Sequence, residues 1–116
     1  MAPSDAFLLQ TIVSYCNDIQ SAIERFSLDE AVITNDYDYR ALLAFFIQQI
    51  GETAGKLSEE FMSTHPEIEW KAIIGFRHRI VHAYGQIIPA SLWDSAIDDV
   101  PELRAFCLKV LQESKS

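Results

Sequence analysis

The chain has 116 residues, of which 49% are hydrophobic and 22% charged, and its formal net charge is −8 at pH 7. This composition is typical of one globular domain with a single core, here residues 1–116, and it argues against intrinsic disorder. The negative charge argues against a protein that coats nucleic acid through a general excess of Lys and Arg. No apolar stretch approaches the ~20 residues of a membrane span, and the N-terminus lacks signal-peptide features, so we expect a soluble, cytoplasmic protein.

The first predicted helix runs from Ser4 or Asp5 to about Phe26, with Ser4 as its N-cap. Its apolar residues recur every three or four positions, which forms one stripe: Leu8, Ile12, Tyr15, Ile19, Ile23 and Phe26. Residues 27–35 form a predicted connector. In it, the sequence Ser-Leu-Asp-Glu from Ser27 to Glu30 has the capping-box pattern and predicts a short helical turn.

A long second helix is predicted from about Asp36 to Ser63, and it ends before Pro66 because the residue preceding proline disfavours helical geometry. Its apolar stripe consists of Tyr39, Leu42, Leu43, Phe46, Ile50, Ala54, Leu57 and Phe61. A third helix is predicted from about Lys71 to Tyr84, with Gly85 as its C-terminal cap.

A fourth helical region is predicted from Pro89 or Ala90 to about Glu113, with a kink or break near 98–100 because of Pro101. Four such segments, with only four Gly and four Pro in the chain, predict an all-α, up-down bundle of four to five helices. The chain has two cysteines, Cys16 and Cys107, in apolar helical contexts. They are predicted to be buried reduced thiols rather than a disulfide framework.

Charge is unevenly distributed along the chain, because no acidic residue lies between Glu69 and Asp94. That interval instead holds five basic or titratable residues: Lys71, Arg77, His78, Arg79 and His82. The interval could bind an anion, whereas the rest of the chain would repel one. The alternative is chance clustering of charge on one helix face.

Within this basic interval, Arg77, His82 and Tyr84 form the pattern R-x4-H-x-Y. The pattern resembles the signature of the HEPN superfamily, specifically its HepT-like branch of small all-helical toxins. R-x4-H alone is weakly specific, but neighbouring stretches look like successive HepT-like segments in the same order: "IQQIGETAGKLSEEF" at 47–61, "HPEIEWKAIIGFRHRIVHAYG" at 65–85 and "LWDSAIDDVPELRAF" at 92–106. The resemblance covers roughly residues 36–110, and the first helix matches in kind and length only.

The resemblance implies a homodimeric endoribonuclease that needs no metal and no cofactor. It also implies a toxin–antitoxin system whose partner is a minimal nucleotidyltransferase antitoxin that transfers AMP to the motif tyrosine. Carried onto this chain, Arg77 and His82 are the catalytic pair and Tyr84 is the AMPylation site. Many members have Asn after the arginine, whereas this chain has His78, so the division of labour between His78 and His82 stays open.

The chemistry of RNA cleavage suits these residue types. A histidine, with an unperturbed pKa of about 6.5, can accept the proton of the ribose 2′-hydroxyl, and an arginine stabilises charge on the phosphate. On an ideal helix Arg77 and His82 lie about 140° apart, whereas Arg77 and Tyr84 share a face, as do His78 and His82. Either the helix bends before Gly85 or a second copy completes the site. We favour the second explanation, which predicts an obligate dimer.

Several of these residues have alternative interpretations. His78 and His82 could ligate zinc from one helix face, although no third ligand is evident nearby. His82 could be a core histidine, and Tyr84 could simply pack at a helix end. Glu52 could orient a motif histidine or pair with Arg77, and it could equally face solvent.

Other residues outside the catalytic pair carry weaker predictions. Lys71 and Arg79 could steer phosphate or be ordinary solvated charges, and His65 is predicted to terminate a helix. Trp70 and Trp93 favour core or dimer-interface positions over base stacking. The net charge keeps a second function open, in which a non-catalytic helical module docks a nucleotidyltransferase and presents nucleotide or substrate.

Overall fold

The computed structural model describes residues 1–75 and 89–114, and every regular element in these ranges is helical. The elements are α1 (Pro3–Arg25), α2 (Glu30–Asn35), α3 (Tyr37–Ala54), α4 (Glu59–Thr64), α5 (70–75), α6 (Pro89–Asp94), a π-helical turn (Ser95–Asp99) and α7 (Val100–Glu113). The predicted all-α helical bundle is therefore confirmed. Among these helices, none is both long and apolar enough to cross a membrane.

The centre of the fold is α1, which packs against both α3 and α7. Their facing residues form one core, whose most buried members are Leu9, Ile12, Cys16, Ile19, Leu43, Ala54 and Cys107. The predicted stripe of α1 is only partly correct. Ile12 and Ile19 are almost fully buried, and Leu8, Tyr15 and Ile23 are partly buried against the core, but Phe26 is 40% exposed. The centre of the buried face also includes Leu9 and Cys16, which the predicted stripe left out.

The predicted single helix from 36 to 63 is wrong, because the chain turns between α3 and α4. The backbone N–H groups of Lys56 and Leu57 donate to the carbonyls of Thr53 and Ala54, three residues back, which tightens and ends α3. A new helix then starts at Ser58, whose Oγ accepts from the Phe61 backbone N–H at 3.1 Å.

A carboxyl group from the start of α1 fixes this turn. Asp5 is only 3% exposed, and its two oxygens accept from the backbone N–H and the hydroxyl of Ser58, at 2.9 and 2.6 Å. These bonds join positions 53 residues apart in the chain. The break between α3 and α4 is therefore held by local hydrogen bonds and also by a tertiary, part-buried polar contact to α1.

Two predicted caps are also wrong. The N-cap of α1 is Ala2 rather than Ser4, and Pro3 begins the helix, where its missing N–H costs nothing. The cap of α2 is Asp29, whose Oδ1 accepts from Val32 N–H at 2.8 Å. Ser27, the predicted cap, has a left-handed φ of 51° and belongs to the turn before α2.

The predicted helical region from 89 to 113 is confirmed, and the kink or break predicted near 98–100 takes the form of a π-helical turn at Ser95–Asp99 rather than a break. The backbone remains helical, and the disturbance is the π-helical turn, in which Val100 N–H donates to Ser95 O five residues back. Pro101 has no N–H to donate to the carbonyl four residues before it. The extra residue of the π turn accommodates this missing donor without ending the helix.

Both cysteines are free and buried, as predicted, with Cys16 1% and Cys107 0% exposed. Burial raises the pKa of Cys16 to about 12, against a smaller lowering effect of Arg104. Burial likewise raises the pKa of Cys107 to about 12, and Cys16 adds to that rise. Both thiols are therefore protonated and unreactive at neutral pH.

The contact between Asp5 and Ser58 gives a stability prediction. Asp5→Ala leaves two donors of Ser58 without their acceptor, so we expect the free energy of unfolding to fall by about 2–3 kcal/mol in urea titration. Asp18→Ala removes an exposed carboxylate from the same helix and should change it by less than about 0.5 kcal/mol. Equal effects of the two substitutions would show that the contact does not stabilise the fold.

Candidate functional site

The sequence-predicted motif lies outside the residues that the structure describes. This applies to all five of its candidate residues: Arg77, His78, Arg79, His82 and Tyr84. Their roles, the composite site and the dimer therefore stay predictions. The structure does describe the elements that precede the motif, which are α4, the turn that follows it, and α5.

Glu52 is the one predicted site residue on a described element. It is half-buried on α3, directly after the buried Gly51. Neither a described hydrogen bond nor an aromatic contact involves its side chain, so its predicted roles beside a histidine or Arg77 stay open.

The chain approaches the motif through a turn that begins at His65. This residue caps the end of α4, and its ring lies over that of Phe61, with centroids 4.3 Å apart. Its Nδ1 is 2.9 Å from the backbone oxygen of Phe61. The predicted role of His65 as a helix terminator is confirmed, and the ring contact adds a packing role that the sequence did not indicate.

The turn closes at Trp70, where α5 begins. The indole Nε1 donates to His65 O at 3.0 Å, so the side chain at one end of the turn bonds the backbone at the other. The Trp70 ring is 7% exposed and packs edge-on against Phe61 and Phe106, at 5.9 and 5.8 Å. Trp70 is therefore a core residue, one of its two predicted placements, and it fixes the first residue of α5.

These four rings form an aromatic cluster that links α4, the turn, α5 and α7: Phe61, His65, Trp70 and Phe106. Sequence reasoning missed the cluster because it treated each aromatic residue separately. The available signal was the spacing of His65 and Trp70, which places two rings at the ends of one proline-containing turn. The cluster sets where the chain enters the basic interval. Trp70 lies seven residues before Arg77, the predicted catalytic arginine.

The change from acidic to basic sequence occurs at this same turn. Glu67 and Glu69 are exposed immediately before Trp70, and Lys71 is exposed immediately after it. Across residues 1–75 and 89–114, no three His, Cys, Asp or Glu side chains form a group that could hold a metal ion. The described elements therefore place exposed carboxylates directly before the packed Trp70, at the start of the basic interval.

Comparison with known proteins gives a match over most of the chain. The family model described as "Ribonuclease HepT-like" matches residues 12–110, from within α1 to within α7. The similarity thus extends over most of the first helix, beyond the predicted range of 36–110.

Individual relatives agree with that match. A candidate RNase of Caldanaerobacter subterraneus is 30% identical over 60% of this chain and 62% of its own length. A protein of Thermococcus cleftensis named as a probable ribonuclease HepT is 28% identical over 78% of this chain and 86% of its own. A candidate RNase of Methanocaldococcus jannaschii is 23% identical over 90% of this chain and 89% of its own. No solved structure gives a significant match.

The hydrogen bond of the Trp70 indole can be tested apart from its packing. Trp70→Phe keeps an aromatic ring but leaves His65 O without its donor. We expect the free energy of unfolding to fall by about 1–2 kcal/mol, and by about 3–5 kcal/mol in Trp70→Ala, measured by circular dichroism in urea. Trp93→Phe is the control, since Trp93 is half-buried and makes no described hydrogen bond. If the two Trp→Phe variants lose equal stability, the hydrogen bond does not secure the turn.

Proposed function

Because the chain belongs to the HepT-like ribonuclease family, we propose that it is an endoribonuclease that cleaves RNA without a metal ion, through Arg77 and His82. The observation that carries the proposal is the family match over 12–110, which includes the complete R-x4-H-x-Y pattern. The names of the relatives from three organisms support the same activity.

In the proposed reaction, the imidazole of His82 accepts the proton of a ribose 2′-hydroxyl. The 2′-oxygen forms a bond to phosphorus, and the bond from phosphorus to the 5′-oxygen breaks. The products are a 2′,3′-cyclic phosphate and a 5′-hydroxyl, which takes up a proton from an acid such as His78. The guanidinium of Arg77 stabilises the charge on the phosphate oxygens, since it remains ionised and can donate two parallel hydrogen bonds.

We further propose that the active unit is a homodimer with a composite site. Five residues of ideal helix separate Arg77 from His82 by about 140°, so one straight helix directs the two side chains away from each other. Two copies that face each other can pair the arginine of one with the histidine of the other. They also double the positive charge available to RNA.

The proposed biological role is that of a toxin in a toxin–antitoxin system, with a nucleotidyltransferase antitoxin as partner. AMP attached to Tyr84 would place an anion on the helix face that also carries Arg77, because residues seven apart share a face. The added phosphate would occupy the position of the RNA phosphate and block cleavage.

A second candidate function is a non-catalytic module that docks a nucleotidyltransferase. The net charge of −8 favours it, since most of the surface repels RNA. An RNA cleavage assay separates this function from the nuclease, because the module would not cleave.

We expect Arg77→Ala and His82→Ala each to lower the rate of RNA cleavage by about 10²-fold or more, since each removes a group that acts in the transition state. The assay uses a labelled RNA oligonucleotide in EDTA, with mass analysis for the cyclic phosphate. Lys109→Ala, an exposed change on α7, should retain wild-type activity. Unchanged cleavage in both motif variants, or its loss in EDTA, would contradict the proposal.

The composite site can be tested by combining the same two variants in one dimer. A mixed dimer of the Arg77→Ala and His82→Ala chains contains one site with both wild-type side chains, so the mixed dimer, purified after co-expression with two different tags, should have up to about half of the wild-type activity. A site within one chain would show no restoration. Light scattering on the wild-type protein measures whether the dimer exists, and a fully active monomer would rule it out.

The AMPylation proposal has its own measurement. Co-expression with the cognate nucleotidyltransferase should increase the intact mass by one or more AMP units, and Tyr84→Phe should show no increase. Tyr37→Phe is the matched control, because Tyr37 is 67% exposed and lies at the start of α3. An adduct that survives Tyr84→Phe would exclude this tyrosine as the acceptor.

A further inference from the structure

A groove of about 370 Å³ lies between α3, the stretch from Glu67 to α5, and the π-helical turn with α7. Its floor is aliphatic and consists of Ile47, Ile50, Ile68, Ile73, Val100 and Leu103. Ile68 and Ile73 are half-buried, while the other four belong to the buried core. The groove therefore has an apolar floor that is continuous with the core, and the side chains of Ile68 and Ile73 remain partly accessible on it.

The rim of the groove is acidic. It carries Glu67, Glu69, Asp99 and Glu102, all of them exposed, and no Lys or Arg is among the described residues that line it. These carboxylates belong to no described group of three that could hold a metal ion. An apolar floor whose described rim is acidic favours a ligand that is apolar at its centre and positively charged at its edges.

The π-helical turn forms one wall of this groove. It contributes Ser95 and Asp99, and it directly precedes Pro101, which cannot donate to the helical hydrogen-bond ladder. The extra residue in such a turn displaces side chains from their regular helical positions, which is one reason why π turns are frequent at functional sites. Here the turn brings Asp99 to the rim while the next residue, Val100, points into the floor.

We propose that this groove binds a basic amphipathic helix of a partner protein. Aliphatic side chains of that helix contact Ile68 and Ile73, and its flanking Lys and Arg residues pair with the rim carboxylates. The volume is at the lower end of the range of about 300–1,000 Å³ for ligand pockets, so it accommodates a few side chains while the helix backbone stays outside. RNA, a polyanion, would be repelled by the same rim. The inference is independent of the proposed nuclease activity.

The test uses a fluorescein-labelled peptide of leucine and lysine, about 14 residues long, with its leucines at helical spacing. A scrambled peptide of the same composition has the same charge but no apolar face. By fluorescence anisotropy at physiological salt, we expect the amphipathic peptide to bind at least about tenfold more tightly than the scrambled one.

Matched variants locate the binding site. Glu67→Gln/Glu102→Gln removes two rim charges and should weaken binding by about three- to tenfold. Asp18→Asn/Glu24→Gln removes the same charge from exposed positions on α1 and should change it by less than about twofold. For the floor, Ile68→Ala should weaken binding, whereas Ile97→Ala should not, since Ile97 is 42% exposed and does not line the groove. Circular dichroism confirms that each variant is folded.

Three outcomes would overturn the proposal. Equal affinity for the two peptides, or equal losses in rim and α1 variants, would show only general attraction to an acidic protein. A shift from dimer to monomer in the rim variant, seen by light scattering, would assign the groove to a second copy of the chain.

Discussion

The burial of one face of α1 is the constraint on which the rest of the structure depends. A chain of this size has a single core, and α1 contributes to it along its whole length, from Leu9 to Ala22, against α3 and α7. Asp5, one turn before Leu9, then reaches Ser58 and determines where α3 gives way to α4. The position of α4 in turn determines where His65 and Trp70 can meet. The helix that is most distant from the motif in sequence, α1, thus influences where the chain leaves α4 and approaches the motif.

The turn from His65 to Trp70 is a packed structural element, and it is also the point where the charge of the sequence changes from negative to positive. The aromatic cluster fixes the backbone at Trp70 through ring packing and an indole hydrogen bond. Charge changes sign across the same residue, from Glu69 to Lys71. Glu67 and Glu69 therefore lie on the N-terminal side of the packed Trp70, before the basic interval that contains the proposed catalytic residues.

How much the sequence could predict depended on the range of the interactions involved. The helical character of the described segments and the helix end at His65 follow from periodicity and proline, which are local properties, and they were predicted correctly. The break after Ala54 has local signals in Gly55 and Ser58, but the apolar stripe continues through them and favoured one long helix, and the bond from Ser58 to Asp5, 53 residues earlier, is visible only in the folded chain. The stripe of α1 was predicted without Leu9 and Cys16, because Leu8 and Leu9 are both apolar and only the packing against α3 and α7 shows that Leu9 is the more deeply buried.

For the candidate site, too, some features could be predicted from the sequence and others are visible only in the folded structure. The R-x4-H-x-Y pattern was sufficient to predict the family, which the match over 12–110 confirms, because a motif with its flanking segments is a property of the sequence. The groove was not foreseen, because its walls come from three separate stretches of the chain and its acidic rim is a property of the folded surface. The cysteines were predicted correctly for a different reason. Small apolar side chains within two apolar helical stripes have no other favourable location than the core.

The separation of charge resolves how so acidic a protein could act on RNA. No acid lies between Glu69 and Asp94. Those two residues and the rest of the chain outside them carry all 17 acids but only six of the nine Lys and Arg residues. Long-range attraction cannot then provide affinity, because RNA at a distance meets a net negative field, screened beyond about 8 Å at physiological salt. The proposed function therefore requires short-range contacts of RNA within the basic interval, and the proposed dimer would bring two copies of that interval to one RNA. The acidic surface elsewhere would repel RNA, and it is suited, as at the acid-rimmed groove, to partners of opposite charge.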